Sequence, residues 1–148
     1  MIIDKEGVFF LTGKDFTNAG AASSSLKGIL EGMGIKPEIV RRACIAAFEA
    51  EMNLIIYAVA GMMNYFITPE MIRVVVQDMG CGIENIELAM TEGYSTAPDY
   101  IREMGFGSGM GLPNIKKNAD KLTVNSEVGE GTTLEFIIYL NPASNKEQ

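Results

Sequence analysis

The pattern of hydrophobic and polar positions divides the chain into a mainly helical first half and a strand-rich second half. Residues 2–11 predict strands around a turn at residues 6–7. Residues 15–33 predict a helix that ends at Gly34, because glycine readily takes the left-handed conformation that follows many helices. Residues 37–60 predict a second helix, which opens on a proline and is apolar on almost every side, as in a helix buried in a core.

The second half of the chain predicts four strands and two short helices. The predicted strands are residues 62–67, 71–77, 122–127 and 132–140. The predicted helices are residues 84–92 and 112–120, with a polar, glycine-rich connection between them. This order of elements predicts an α+β two-layer sandwich, in which helices cover one face of a mixed, mostly antiparallel sheet.

Length and charge restrict the classes of protein to which the chain can belong. The 148 residues suffice for one domain, which we assign to residues 1–141, with residues 142–148 as a disordered tail. The net charge of −7 would repel nucleic-acid phosphates, so no nucleic-acid partner is expected. The most apolar stretch, residues 43–63, contains two glutamates and an asparagine that lipid would disfavour, so no membrane span is expected.

The reactive side chains restrict the chemistry further. Cys44 and Cys81 lack a metal-binding spacing, and no signal peptide is evident, so we expect a reduced, cytoplasmic protein. The chain has no histidine, which excludes a Ser-His-Asp triad, a histidine metal site and phosphorylation of a histidine of its own. Any catalysis must therefore depend on carboxylates, amides and backbone groups.

The segment AFEAEMN on the second predicted helix carries the first candidate site. Glu49 and Asn53 are four residues apart and share one helix face, whereas Glu51 points elsewhere. The amide oxygen of Asn53 could bind a metal ion, and the carboxylate of Glu49 could accept a proton from a nucleophile. Taken alone, such a pair is more often an exposed stripe on a half-buried helix.

The segment QDMGCGI carries the second candidate site. Asp78 at the end of an apolar strand could accept a hydrogen bond from an exocyclic amine, and Gly80 and Gly82 would let a planar ring approach the backbone. The alternative is an ordinary strand-ending turn. Cys81 lies inside this loop, where a small residue that fills a tight turn is a simpler interpretation than a redox role.

Two further segments are rich in glycine. EMGFGSGMGLPNIKK has glycines at 105, 107, 109 and 111 just before a predicted helix, where backbone N–H groups and the helix N-terminus suit a phosphate group. It fits neither the P-loop nor the dinucleotide-binding pattern. In VGEGTT the glycines predict a hairpin turn, and Thr132 could reach a ligand through its hydroxyl group. A flexible loop and a plain hairpin are the respective alternatives.

The order of the four segments is more specific than any one of them. E-x-x-x-N, D-x-G-x-G, G-x-G-x-G and G-x-G-T follow one another over residues 49–133. This series resembles the four sequence boxes of the GHKL ATPase superfamily, which includes gyrase, Hsp90, histidine kinases and MutL. The resemblance implies the Bergerat ATP-binding fold, with ATP and Mg²⁺ as cofactors.

The resemblance also implies a role for each matching position. Glu49 matches the general base, Asn53 the Mg²⁺ ligand, Asp78 the residue that binds adenine, and Thr132 a residue near the adenine ring. The first glycine box corresponds to Gly80 and Gly82. The second corresponds to the nucleotide-contacting run Gly107, Ser108, Gly109, Met110, Gly111 and Leu112.

Within the superfamily, the short chain and the segments GYST, GMGLPNIKK and SEVGEGTT resemble the anti-sigma factor serine kinases and the stressosome switch kinases. That branch phosphorylates a serine on a STAS-domain partner. The resemblance therefore implies a protein serine/threonine kinase, whose partner is an anti-anti-sigma-like STAS protein or a sigma-factor-like regulator, and a possible homodimer. Two alternatives remain open: an ATP-dependent anti-sigma or switch module without phosphoryl transfer, and a simple ATPase.

Two positions depart from the pattern of those kinases. The anti-sigma kinases have an arginine that contacts the γ-phosphate just before Ser-Gly-Met-Gly, and Gly107 stands at that position here. We hypothesise that Arg102 replaces this arginine, because it is the only basic residue between Arg73 and Lys116. Tyr57 stands where members of the branch often have histidine.

Overall fold

A computed structural model describes residues 4–103 and 109–141 of the chain. The strands are β1 (Lys5–Thr12), β2 (Ala58–Ile67), β3 (Met71–Gly80), β4 (Lys121–Glu127) and β5 (Gly131–Tyr139). The helices are α1 (Ala21–Gly32), α2 (Pro37–Tyr57), α3 (Ile86–Ala89), α4 (Asp99–Glu103) and α5 (Gly111–Asn118). Gly107, Ser108 and the predicted tail over residues 142–148 lie outside the described residues.

The five strands form one sheet in the order β1-β2-β3-β5-β4. Each pair of neighbouring strands is antiparallel. The predicted α+β class with a mostly antiparallel sheet is therefore confirmed, and the described strands contain no parallel pair. The reason is local connection, because β2 and β3, like β4 and β5, are joined by short turns that can only reverse the chain.

Helix α2 lies at the centre of the molecule and positions the candidate site. Its small residues Ala43, Ala46 and Ala47 are fully buried, which lets the helix axis approach the sheet closely. Leu26 and Leu30 of α1 are also fully buried and belong to the same core. Because α2 contacts α1, α5 and four of the strands, any group on its remaining face has a fixed position relative to the sheet.

Three predicted element boundaries are wrong. Residues 5–12 form one continuous strand with no turn at residues 6–7, since each residue pairs in register with β2. The first predicted helix is divided at Gly20, whose φ of +94° separates a short 3-10 turn from α1. Helix α2 ends at Tyr57 because the backbone of Ala58 is extended and begins β2.

The part of the chain that the structure describes was also searched for membrane-spanning helices. None of its helices is both long enough and apolar enough to cross a bilayer. The longest, α2, carries the polar residues that the sequence places within its apolar run.

Candidate functional site

A cavity of about 740 Å³ opens between α2, the ends of β3 and β5, and the connection that precedes α5. It brings together most of the predicted site residues, namely Glu49, Asn53, Asp78, Gly80, Gly82, Gly109, Gly111, Leu112 and Thr132. Met110 is the N-cap of α5 and is not part of the cavity lining. Four segments that are far apart in sequence thus meet at one site, and its volume suits a small-molecule ligand.

Asp78 marks the inner end of the cavity, where β3 and β5 separate. Its Oδ1 atom accepts a hydrogen bond of 3.0 Å from the backbone N–H of Thr132. A side chain on Gly131, whose φ is +139°, would collide with the carbonyl oxygen of Asp78. Burial raises the pKa of the Asp78 carboxyl group, and the hydrogen bond from Thr132 opposes that rise. One carboxylate oxygen is thus fixed by the backbone, while the carboxyl group as a whole lines the cavity.

The loop after β3 is fastened to the β4–β5 hairpin. Gly82 has φ of +77°, and a Cβ there would collide with the carbonyl oxygen of Glu127. The carbonyl oxygen of Cys81 accepts a 2.9 Å hydrogen bond from the N–H of Gly129. Cys81 therefore has a defined backbone contact, and its exposed side chain forms part of the cavity lining. These close approaches explain why the loop requires glycine.

Ser126 is a residue of this region that the sequence analysis missed. Its Oγ atom accepts a 2.7 Å hydrogen bond from the N–H of Ile83 and lies 2.8 Å from Oγ1 of Thr132. It therefore links the glycine loop to the strand that carries Thr132. The signal was present in the hairpin register, since Ser126 pairs directly with Thr132 once the turn is placed.

Glu49 and Asn53 lie at the opposite part of the cavity from the hairpin. Both are half-buried and line the cavity, so the alternative of an exposed stripe does not describe them. Oε1 of Glu49 accepts a 3.3 Å hydrogen bond from Nδ2 of Asn114 on α5. A Cβ on Gly111 would lie 3.0 Å from Oδ1 of Asn53. The start of α5 therefore lies against the Glu49–Asn53 face of α2.

Asn114 also escaped the sequence analysis, which treated α5 only as the helix after the glycines. It is one turn from Gly111, and it is the residue through which α5 contacts Glu49. The spacing of three residues from a glycine at a helix start is a weak signal by itself. Its meaning depends on the packing of α5 against α2, which no local pattern reveals.

Glu51 points away from Glu49, as predicted, but it is not a surface residue. Its side chain is fully buried. The carboxylate accepts hydrogen bonds from the N–H groups of Gly20 at 3.0 Å, Ala22 at 3.3 Å and Ser23 at 3.0 Å. It therefore caps the N-terminus of α1, where the unpaired N–H groups and the helix dipole favour a negative charge.

The oxygen atoms near Asn53 determine what kind of cation the site could hold. Among residues 4–103 and 109–141, no three acidic, cysteine or histidine side chains form a metal-binding group of their own. Mg²⁺ commonly takes only one or two protein oxygens and completes its shell with phosphate and water oxygens. The amide oxygen of Asn53, with a carboxylate one helical turn away, fits that requirement.

The connection between α3 and α5 is closed at its base by two glycines. The N–H of Gly93 donates a 3.0 Å hydrogen bond to the carbonyl oxygen of Gly109. Both residues have positive φ, and a side chain on Gly109 would collide with the backbone of Gly93 and Tyr94. The backbone of Arg102 lies in α4, within this connection.

Asp78→Asn is expected to leave the ligand-free protein as stable as the parent, or more stable, at neutral pH. The amide keeps an oxygen that can accept the hydrogen bond from Thr132, and it removes a charge whose desolvation raises the pKa of Asp78. Because the folded-state pKa exceeds the unfolded one, stability from this group is fully present below the unfolded pKa and is lost as pH rises through the folded pKa.

Thermal unfolding of both proteins between pH 4 and pH 7 measures this effect. The advantage of the asparagine variant should shrink as the pH falls toward the ordinary range of an aspartate. A variant that is less stable than the parent at every pH would show that the carboxylate has a structural role.

The comparisons with known proteins agree with this geometry. The family model for the histidine kinase-, DNA gyrase B-, and HSP90-like ATPases matches residues 38–143. The serine/threonine-protein kinase RsbT of Bacillus subtilis is 27% identical over 124 residues, which cover 81% of this chain and 87% of RsbT. An anti-sigma F factor of Anoxybacillus flavithermus is 29% identical over 116 residues, which cover 78% of this chain and 73% of that protein.

The fold has a counterpart among solved structures. A chain in the crystal structure of the SiaB-SiaC complex from Pseudomonas aeruginosa superposes with a TM-score of 0.62 at 13% identity, covering 92% of this chain and 89% of that chain. At that identity the likeness concerns the fold alone. The family model, however, spans more than half of the chain and includes both ends of the cavity. The chain therefore belongs to the histidine kinase-, DNA gyrase B- and HSP90-like ATPase family, as its four sequence boxes predicted.

Proposed function

We propose that this chain is a Mg²⁺-ATP-dependent protein serine/threonine kinase that transfers the γ-phosphate to a serine of a STAS-domain partner. The observation that carries the proposal is the convergence of Asp78, the glycine segments and the Glu49–Asn53 face on one cavity. Those groups have the chemistry for a base, a phosphate chain, a divalent cation and a proton, in that order along the cavity. The relatives named as a serine kinase and an anti-sigma factor support the same class.

Each part of the cavity has a defined task in the proposed reaction. The carboxylate of Asp78 accepts a hydrogen bond from the exocyclic amine of adenine, while the glycines after β3 let the ring lie against the backbone. The N–H groups at the start of α5 face the phosphates. Asn53 contributes a ligand to Mg²⁺, which when bound neutralises charge on the phosphate oxygens.

Glu49 is the proposed catalytic residue. Its carboxylate takes the proton from the serine hydroxyl of the partner as that oxygen attacks the γ-phosphorus. Asn114 holds one carboxylate oxygen of Glu49 through its side-chain N–H, which leaves the other for the proton. Arg102 is proposed to supply the positive charge for the γ-phosphate, in place of the arginine that Gly107 lacks.

The nature of the partner follows from the relatives rather than from the cavity. Anti-sigma F factors and the SiaB-SiaC complex show that related folds act in pairs with another protein. We therefore propose a cytoplasmic STAS-domain protein, or a sigma-factor-like regulator, as the partner. The alternative is an ATP-dependent module that binds such a partner without phosphoryl transfer, and a loss of the catalytic carboxylate distinguishes the two.

Thermal unfolding with ATP, with and without Mg²⁺, tests nucleotide binding directly. At a ligand concentration of 100 times Kd, binding should add about 2.7 kcal/mol to the free energy of unfolding, which is a shift of several degrees. The Asp78→Asn variant should lose the shift because the acceptor for the adenine amine becomes an amide. In Asn53→Ala the shift should no longer depend on Mg²⁺.

Two results would contradict the proposal. If no adenine nucleotide shifts the wild-type protein, the cavity is not an ATP site. If GTP and ATP stabilise Asp78→Asn as strongly as the parent, the base does not bind where we place it. Glu84→Gln is a suitable control, because Glu84 also lines the cavity and is assigned no role.

A further inference from the structure

The segment of residues 94–103, which we call the lid segment, lies over the outer side of α2 beside the cavity. It follows the Gly93–Gly109 hydrogen bond and contains α4. Its first residues line the cavity. How firmly this segment is held to α2 therefore determines how freely a ligand can enter and leave.

The later part of the lid segment is anchored by apolar contact. Ile101 is fully buried and Ala97 is nearly so. Both pack in a small cluster with Met52, Ile55 and Ile56 of α2, separate from the main core between helices and sheet. This cluster holds residues 97–101 firmly, but it does not reach the exposed start of the lid segment.

A polar contact fastens the start of the lid segment. The hydroxyl group of Tyr57 lies 3.3 Å from Oγ of Ser95. The same Oγ atom accepts a 3.1 Å hydrogen bond from the N–H of Ala97. Tyr57 is one helical turn beyond Asn53, and both side chains line the cavity. The contact thus joins the face of α2 that carries the proposed Mg²⁺ ligand to the first turn of the lid segment.

We propose that Tyr57 is a positioning residue, which acts through Ser95 to hold the lid segment against α2 and thereby slows the release of nucleotide. The proposal rests on the proposed function for its nucleotide, but the contact itself is a property of the ligand-free protein. Without the hydroxyl group, residues 94–96 have no anchor between the Gly93–Gly109 base and Ala97 other than contacts with solvent-exposed neighbours. They can then lift away, because that part of the lid segment is largely exposed.

The alternative is that Tyr57 contributes only its ring, as a packing residue at the end of α2. Tyr57→Phe separates the two, because it keeps the ring and removes the hydroxyl group alone. Ser95→Ala removes the other member of the contact. Tyr100→Phe is the matched control, because it deletes a hydroxyl group from an exposed tyrosine of the same lid segment.

Amide hydrogen exchange in the nucleotide-free protein tests the contact. The exchange rate of the Ala97 amide should rise about 5-fold in Tyr57→Phe, the factor that one net hydrogen bond contributes. It should rise further in Ser95→Ala, which also loses the acceptor of that amide. Tyr100→Phe should exchange like the parent, and the unfolding temperature of Tyr57→Phe should stay within about 2 °C of it.

The release of a fluorescent ATP analogue, measured by stopped flow with Mg²⁺ and excess ATP, tests the consequence. Tyr57→Phe should release the analogue about 5-fold faster, with the association rate little changed. If Tyr57 acts through Ser95, the double variant should release no faster than Ser95→Ala alone.

The outcomes separate this proposal from the proposed function. Unchanged Ala97 exchange in Tyr57→Phe would overturn the contact, and unchanged release would overturn its effect on the nucleotide. Additive effects in the double variant would show that Tyr57 acts by another route. If the wild-type protein binds no analogue, the proposed function and the effect on release both fail, while the exchange data still decide whether Tyr57 holds the lid segment.

Discussion

Replacing Glu51 with alanine is expected to lower the free energy of unfolding by about 3–5 kcal/mol, the largest stability change that we expect from a single polar residue. The carboxylate is fully buried and accepts three backbone N–H groups at the start of α1. Hydrogen bonds to a charged acceptor are worth more than neutral ones, and the alanine variant leaves all three donors without it. The unfolding temperature should fall by about 10 °C.

Two control variants make the cause of this loss measurable. Glu51→Gln keeps the shape of the side chain but turns an amide group toward N–H donors, so its loss should be intermediate. Glu31→Ala removes an exposed glutamate from α1 itself and should change stability by no more than about 0.5 kcal/mol. Denaturant unfolding of the three variants at one pH gives the comparison. A Glu51→Ala protein as stable as Glu31→Ala would show that α1 does not depend on the buried cap.

The role of Glu51 could not be predicted from its position in the sequence. The helical spacing correctly separates it from Glu49 and Asn53, because a two-residue offset turns a side chain toward another face. Its partners, however, are N–H groups about thirty residues earlier, on a helix whose start was itself misplaced. Gly20 was expected within a helix and instead ends a turn with φ of +94°, and only the packing of α1 on α2 brings it to Glu51.

The parts of the site that could be predicted are those that each depend on one short segment. The spacing of Glu49 and Asn53 on a helix, and of Asp78 before two glycines at the end of a strand, follows from helix and strand geometry alone. Their order along the chain then identified the family. The contacts of Ser126 and Asn114 could not be predicted in this way, because each joins two segments whose relative positions are fixed only by the folded sheet and helices.

The boundary between α2 and β2 shows a second limit of the sequence. The apolar run continues past Tyr57 without a change of pattern, so a longer helix was expected. In the structure Gly61 approaches β3 so closely that a side chain there would collide with the carbonyl oxygen of Gln77. Pairing with β3, which also includes a register shift between Ala58 and Ala60, decides where the helix ends.

Glu49→Gln is expected to slow phosphoryl transfer by a factor of about 10²–10⁴ while ATP affinity changes only a few-fold. The amide keeps the size of the side chain and an oxygen that can accept the hydrogen bond from Asn114, but it cannot take a proton from a serine. The loss should therefore appear in the rate of transfer and not in Kd. Asn53→Ala should show the opposite pattern, with a loss of Mg²⁺-dependent binding.

Transfer is measured with γ-labelled ATP and a panel of purified STAS-domain proteins, alongside nucleotide affinity for each variant. Glu84→Gln controls for the removal of a carboxylate from the same cavity and should transfer phosphate at the parental rate. A Glu49→Gln protein that transfers phosphate as fast as the parent would remove Glu49 from catalysis. If the wild-type protein binds ATP and one of these partners but labels none of them, the cavity serves nucleotide-dependent binding, because the same groups that position the γ-phosphate would then control only the surface that the partner recognises.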